Sequence, residues 1–179
     1  TAQYVPIDEN HPLVGQSPYS ATKIAADQMA ISYYRSYELP VKIVRPFNTY
    51  GPRQSARAII PTIISQILDG LDHIKVGNLL PTRDFTFVKD TISGFHAIYE
   101  SEHLYGEVTN IGMNEETSIG NLIEKIANIM EVSVSVVQDD NRFRPEKSEV
   151  NQLLCDSTKL TNHTKWKPKF DLDKGLKVT

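Results

Sequence analysis

An α/β fold is predicted for this chain, with a first half that reads as the end of a doubly wound parallel sheet. The first observation is alternation: short β-branched runs such as Val41-Lys42-Ile43-Val44-Arg45 are separated by longer stretches of helical apolar period. The second is size and composition. With 179 residues, 40% of them apolar and 23% charged, one domain can bury roughly 70% of the surface its unfolded chain exposes and needs neither disulfide nor metal. The third is an absence: no glycine-rich strand-to-helix turn of the dinucleotide-binding kind occurs in these residues.

Residues 1–16 carry Pro6, Pro12 and Gly15 among Asp8, Glu9 and Asn10 and read as a loop. Ser17-Pro18 opens a helix, Ser17 as N-cap and Pro18 at the first helical position, where its missing N–H costs nothing. Pro40 ends that helix near Glu38, and 41–45 follows as a buried strand. Residues 48–53 read as a loop and 58–68 as a helix stopped by Asp69-Gly70. Strands are predicted at 74–76 and 85–88, a helix over 91–101 capped by Asp90, a strand at 107–111, and an amphipathic helix from Ser118 to about Met130. Residues 132–137 and 152–155 add strands, and short helices at 157–163 and 171–177 close the chain. No repeat, low-complexity tract or linker interrupts it.

With 19 basic and 22 acidic side chains the net charge is -3. No broad positive field exists, and the aromatics are not interleaved with basic clusters, which excludes a nucleic-acid groove. No apolar run approaches the ~18 residues of a membrane span, and Thr1 opens no charged-then-apolar leader. Cys155 is the sole cysteine and reads as a strand residue, so a reducing, cytoplasmic location is expected. The histidines at 11, 73, 96, 103 and 163 show no metal-ligand spacing, and no metal is expected.

Tyr19 and Lys23 lie four apart just inside a helix N-terminus and project from one face, a turn apart. A phenol near its ordinary pKa of about 10 is a poor base at neutral pH. An ammonium about 4 Å from it, at an effective dielectric of ~20, favours the phenolate by roughly 4 kcal/mol. The same pair occurs by chance on many helices. Arg83 beside Asp84 also reads as a surface ion pair worth under ~1 kcal/mol, and Asn48 as a residue that closes a turn.

Ser17-Pro18-Tyr19-Ser20-Ala21-Thr22-Lys23, Arg45-Pro46-Phe47-Asn48-Thr49-Tyr50-Gly51-Pro52-Arg53, Arg83-Asp84-Phe85-Thr86-Phe87-Val88-Lys89-Asp90 and Thr109-Asn110-Ile111-Gly112 stand in this order. Together they resemble the extended short-chain dehydrogenase/reductase family of NAD-dependent sugar-nucleotide epimerases and dehydratases. The resemblance runs to Trp166-Lys167-Pro168 and Gly175-Leu176. Within the family it is nearest to nucleotide-sugar 4,6-dehydratases of the bacterial UDP-N-acetylhexosamine type, or those acting on dTDP- or GDP-hexoses; residues 144–150 suggest this subgroup.

The resemblance implies roles for single residues. Tyr19 takes the proton from the sugar C4 hydroxyl while hydride leaves C4 for NAD. Lys23 assists Tyr19 and holds the nicotinamide ribose, and Pro46 and Phe47 lie against the nicotinamide end. Asn48 donates to the substrate pyrophosphate, Arg83 and Arg144 bind phosphate, and Glu149 holds the nucleotide ribose. Two extra residues separate Arg144 from the strand ending at Asp156, which leaves Arg142 as its substitute.

The fold implied is the C-terminal part of a Rossmann-like sheet (about 1–55 and 89–112) with a smaller α/β substrate-binding lobe (about 56–88 and 113–179), forming one unit over 1–179. The N-terminal dinucleotide-binding half is expected to be absent. So are a Ser or Thr that contacts the C4 oxygen and the acids that serve dehydration. Residues 1–179 alone are then expected neither to hold NAD tightly nor to turn over. The expected activity is that of a nucleotide-sugar 4,6-dehydratase, with a 4-epimerase or decarboxylase as the alternative and a non-catalytic sugar-nucleotide-binding domain as the alternative of another class. The partner implied is a UDP-linked sugar, and a homodimer is implied through the Tyr19-bearing helix, where Ile24, Met29 and Ile31 serve dimer packing or face their own sheet.

Overall fold

Ser17 opens helix α1 (Pro18–Tyr37) through a reciprocal cap: the Ser20 N–H donates to its hydroxyl oxygen (3.2 Å), and its own N–H donates to the Ser20 hydroxyl (2.9 Å). Glu38, left-handed at φ 54°, closes the helix by donating its N–H to Tyr34. The computed structural model describes residues 2–71, 73–143 and 149–179.

After α1 comes β1 (Ile43–Pro46), then β2 (Asn48–Tyr50) and α2 (Ile59–Leu68). Next are β3 (His73–Val76), β4 (Thr82–Arg83), β5 (Phe85–Phe87), α3 (Val88–Glu100) and β6 (Val108–Ile111). The chain continues through β7 (Thr117–Ser118), α4 (Ile119–Ile129), β8 (Ser135–Gln138), β9 (Gln152–Leu153), α5 (Thr158–His163) and α6 (Leu172–Val178).

The segment 43–50 changes partner within one peptide. β1 runs parallel to β6, Ile43 opposite Val108 and Pro46 opposite Ile111. The Phe47 N–H still donates to Ile111 (2.8 Å), but that of Asn48 donates to Asp84 (3.1 Å), and β2 continues parallel to β5. Residues 48–50 are thus a strand where a loop is predicted, because Tyr50 has a buried slot between Phe85 and Phe87. β3 pairs parallel with β8, and β4 lies between antiparallel β7 and parallel β9.

Two apolar cores flank this segment. One gathers Tyr50, Phe85 and Phe87 with Ile60, Ile63 and Leu122 of α2 and α4; the other joins Ile98, Leu104, Ile111, Leu160 and Trp166. α3 begins at Val88, so Asp90 does not cap it. Buried instead in its first turn, Asp90 accepts the N–H groups of Lys169 and Phe170 (both 2.9 Å). The cap predicted at Ser118 forms, and Asp171, at the start of the predicted 171–177 helix, caps α6 by accepting the Lys174 N–H (2.8 Å). The strand predicted at 132–137 is shifted to 135–138. Cys155 lies beyond β9 and makes an isolated bridge to Ile7.

Candidate active site

The starts of β2 and β5 and the ends of β3 and β4 border a cleft of about 610 Å³, lined among others by Asn48, Arg57, Arg83, Phe85, Arg142 and Glu149. Asn48 and Arg83 arrive there because β2 and β4 both adjoin β5. The Arg83 guanidinium lies 3.4 Å from Glu149 Oε1 and donates a second hydrogen bond to the Thr82 carbonyl (2.8 Å). Glu149 is held in turn by the Val150 N–H (3.1 Å). Arg83 therefore does not pair with its neighbour Asp84, which is wholly buried and turned away from the cleft wall toward backbone N–H groups.

Arg142 reaches the cleft through a close approach. The Asp139 N–H donates to Val76 (2.8 Å), and a Cβ at Gly77 would fall 2.6 Å from the Arg142 carbonyl oxygen, so only glycine lets the segment after β8 fold over the end of β3. Arg144, the other arginine expected to bind phosphate, lies outside the described residues. Arg57 was not singled out by the sequence; its signal is position alone, in the loop after a parallel strand end and before a helix. Gln54 lines the same cleft, its Nε2 donating to Thr49 (2.9 Å) and its Oε1 buried with no hydrogen-bond partner among the described residues.

Tyr19 and Lys23 sit in the first turns of α1, both exposed; the Tyr19 side chain is 73% accessible. Tyr19 does not line the cleft of Asn48, Arg83 and Glu149. It lines a second cavity of about 630 Å³ together with Ser17, Val150 and Leu153. Arg83, which lines the first cavity, is the register partner in the β4–β9 pair of Leu153, which lines the second. Pro46 is exposed at the end of β1, and Phe47 is half-buried at the partner change. On α1, Ile31 is buried within the chain, Ile24 is half-buried and Met29 is exposed. Arg45 ties the helix to β1 through Asp27 (2.7 Å).

No group of three or more His, Cys, Asp or Glu residues gathers at metal-binding spacing among the described residues. No described helix is long and apolar enough to cross a membrane.

Comparison with known proteins bears on this arrangement. The family described as GDP-mannose 4,6 dehydratase matches residues 1–179. The dTDP-glucose 4,6-dehydratase of Streptomyces antibioticus is 30% identical, over 96% of this chain and 50% of its own length. The GDP-6-deoxy-D-mannose reductase of Pseudomonas aeruginosa is 30% identical, over 97% of this chain and 58% of its own. The solved structure of UDP-glucuronic acid 4-epimerase from Bacillus cereus, in complex with UDP-glucuronic acid and NAD, superposes with a TM-score of 0.90 at 28% identity, over 99% of this chain and 56% of that one. The chain thus spans about half the length of the curated relatives it matches. With the whole chain matched by the family and the dehydratase, reductase and epimerase folds aligned along nearly all of it, the chain belongs to the GDP-mannose 4,6-dehydratase family within the extended short-chain dehydrogenases/reductases.

Proposed function

We propose that this chain supplies the sugar-nucleotide cleft and the Tyr19–Lys23 pair of an NAD-dependent enzyme that oxidises the C4 hydroxyl of a nucleoside-diphosphate sugar, followed by loss of water as in a 4,6-dehydratase. The observation that carries the reading is the convergence of Asn48, Arg83 and Glu149 on one cleft. A planar guanidinium suits a diphosphate, a carboxylate accepts from ribose hydroxyls, and Asn48 supplies a neutral donor.

Tyr19 and Lys23, a phenol and an amine one turn apart and both open to solvent, are the donor set a nicotinamide ribose and a sugar hydroxyl require. With Pro46 and Phe47 they would hold the nicotinamide end of NAD, which when bound accepts hydride from C4. Tyr19 Oη takes the C4 hydroxyl proton, with the Lys23 ammonium one turn along the helix as its cationic neighbour. Arg83, Arg142 and Arg57 neutralise the diphosphate and fix the sugar's reach.

The epimerase-bound UDP-glucuronic acid in the Bacillus cereus structure favours a second reading, in which the 4-keto sugar is reduced from its other face. Mass analysis of the product from the natural full-length protein, given NAD and a panel of UDP-, dTDP- and GDP-hexoses, distinguishes them. A product lighter by one water supports the dehydratase, and a new isomer of unchanged mass supports the epimerase. Retention of UDP-sugar affinity with no product from any sugar would leave the non-catalytic binding domain.

A further inference from the structure

Asp84 lies with its side chain at 0% exposure between the last residue of β4 and the first of β5. Its Oδ1 accepts the Met113 N–H (2.8 Å), and its Oδ2 accepts those of Asn114 (3.0 Å) and Cys155 (3.3 Å). Burying a carboxylate is costly, and an amide of the same shape would turn an NH2 toward at least one of these donors. Two acceptor oxygens are what this junction of segments requires.

The backbone of Asp84 extends the same junction. Its N–H donates to Leu153 (2.9 Å) and its carbonyl accepts the Asn48 N–H (3.1 Å). Gly112 permits the closure, since a Cβ there would fall 2.3 Å from Cys155 Cβ and 3.0 Å from Asp84 Oδ2. The residues gathered in this way lead directly to the cleft. Asn48 is bonded to Asp84 itself, Arg83 is its covalent neighbour, and the segment held at Cys155 runs back through β9 to Glu149. We infer that Asp84 is a positioning residue: its carboxylate locks the 112–115 and 153–155 segments onto β4 and so fixes Asn48, Arg83 and Glu149 in one diphosphate-binding geometry. The inference rests on the proposed reading of that cleft.

The test is calorimetric titration of UDP into the parent chain, Asp84→Asn, Arg83→Ala and the double variant, each at a temperature where far-UV circular dichroism shows it folded. Asp84→Asn should weaken UDP at least tenfold, and the double variant should bind within twofold of Arg83→Ala alone, because without the guanidinium its placement no longer matters. UDP affinity within twofold of the parent in folded Asp84→Asn, or losses that multiply, overturn the inference.

Should Asp84→Asn not fold, hydrogen exchange of the parent decides. UDP at 100-fold its Kd should slow exchange of the Met113, Asn114 and Cys155 amides by at least tenfold if opening the junction destroys the site, and unchanged rates reject it. Failure of the parent to bind UDP overturns the proposed function instead. The Arg83 Nε–H resonance then judges Asp84 by itself: a shift in Asp84→Asn upholds the inference and an unmoved resonance rejects it.

Discussion

Arg83 and Asp84 are adjacent in sequence and opposite in role: the guanidinium meets Glu149 at 3.4 Å on the cleft side, while the carboxylate accepts the Met113 N–H at 2.8 Å in the interior. Extended backbone sends successive side chains to opposite faces, so this dipeptide carries a cleft-facing cation and a buried anchor together.

Arg83→Ala should weaken UDP binding by tenfold or more, which corresponds to about 1.4 kcal/mol or above. Arg83→Lys should recover only part of it, since an ammonium lacks the two-pronged donor geometry. Isothermal titration with UDP measures both, and equal affinity in the alanine variant and the parent would remove Arg83 from the site.

Asp84 also sets a pH dependence of stability. Burial pushes its carboxyl up to about 6 from an ordinary 3.8, against the backbone N–H groups that pull it down. The folded chain therefore holds a proton over a range where the unfolded chain has released it. The resulting stability is present at low pH and is lost as pH rises through about 6, by up to about 3 kcal/mol. Glu107, held below the usual carboxylate range by its hydrogen bond from Lys159, contributes the opposite slope. The informative quantity is thus the difference in urea-unfolding free energy between the parent and Asp84→Asn. That difference should shrink from about pH 4 to about pH 7, and growth over that interval would contradict the assignment.

Asp90 fastens the C-terminal segment. It takes the Lys169 and Phe170 N–H groups on its carboxylate, and its carbonyl accepts the Trp166 indole N–H (3.1 Å). Asp90→Ala leaves buried donors unpaired and should cost about 2–4 kcal/mol. Because Trp166 is the sole tryptophan, its emission should shift to longer wavelength in the same variant. An unshifted spectrum would mean that the segment docks without Asp90.

Ser17→Ala removes one side of the α1 cap and should lower stability by about 1 kcal/mol in urea unfolding. Tyr19 lies two residues inside that cap, so in the full-length protein the same change should also lower turnover more than it lowers UDP affinity. Equal losses in both would indicate a purely structural cap.

Much of this was readable from local chemistry. Ser17-Pro18, Ser118 and Asp171 each announce a helix start because the cap is satisfied within three residues. Three residues of β2 are too few to display a period, and the Gly51-Pro52 that follows reads as a turn; only the slot between Phe85 and Phe87 makes Asn48–Tyr50 a strand. Asp90 reads as a cap because its true partners lie 79 and 80 residues away. Arg83 and Glu149, 66 residues apart, were linked by resemblance to a family and not by spacing, and Arg57 carries no pattern of its own. Local satisfaction is visible in a sequence, whereas groups whose partners come from distant strands are not.

Cys155 follows from the same junction. Its thiol is fully covered and burial pushes its ionisation far upward, so alkylating dyes should find it inert in the native state. Being the lone sulfhydryl, it turns any labelling that does occur into a clock for transient parting of the strands around it, read without engineering a single new side chain.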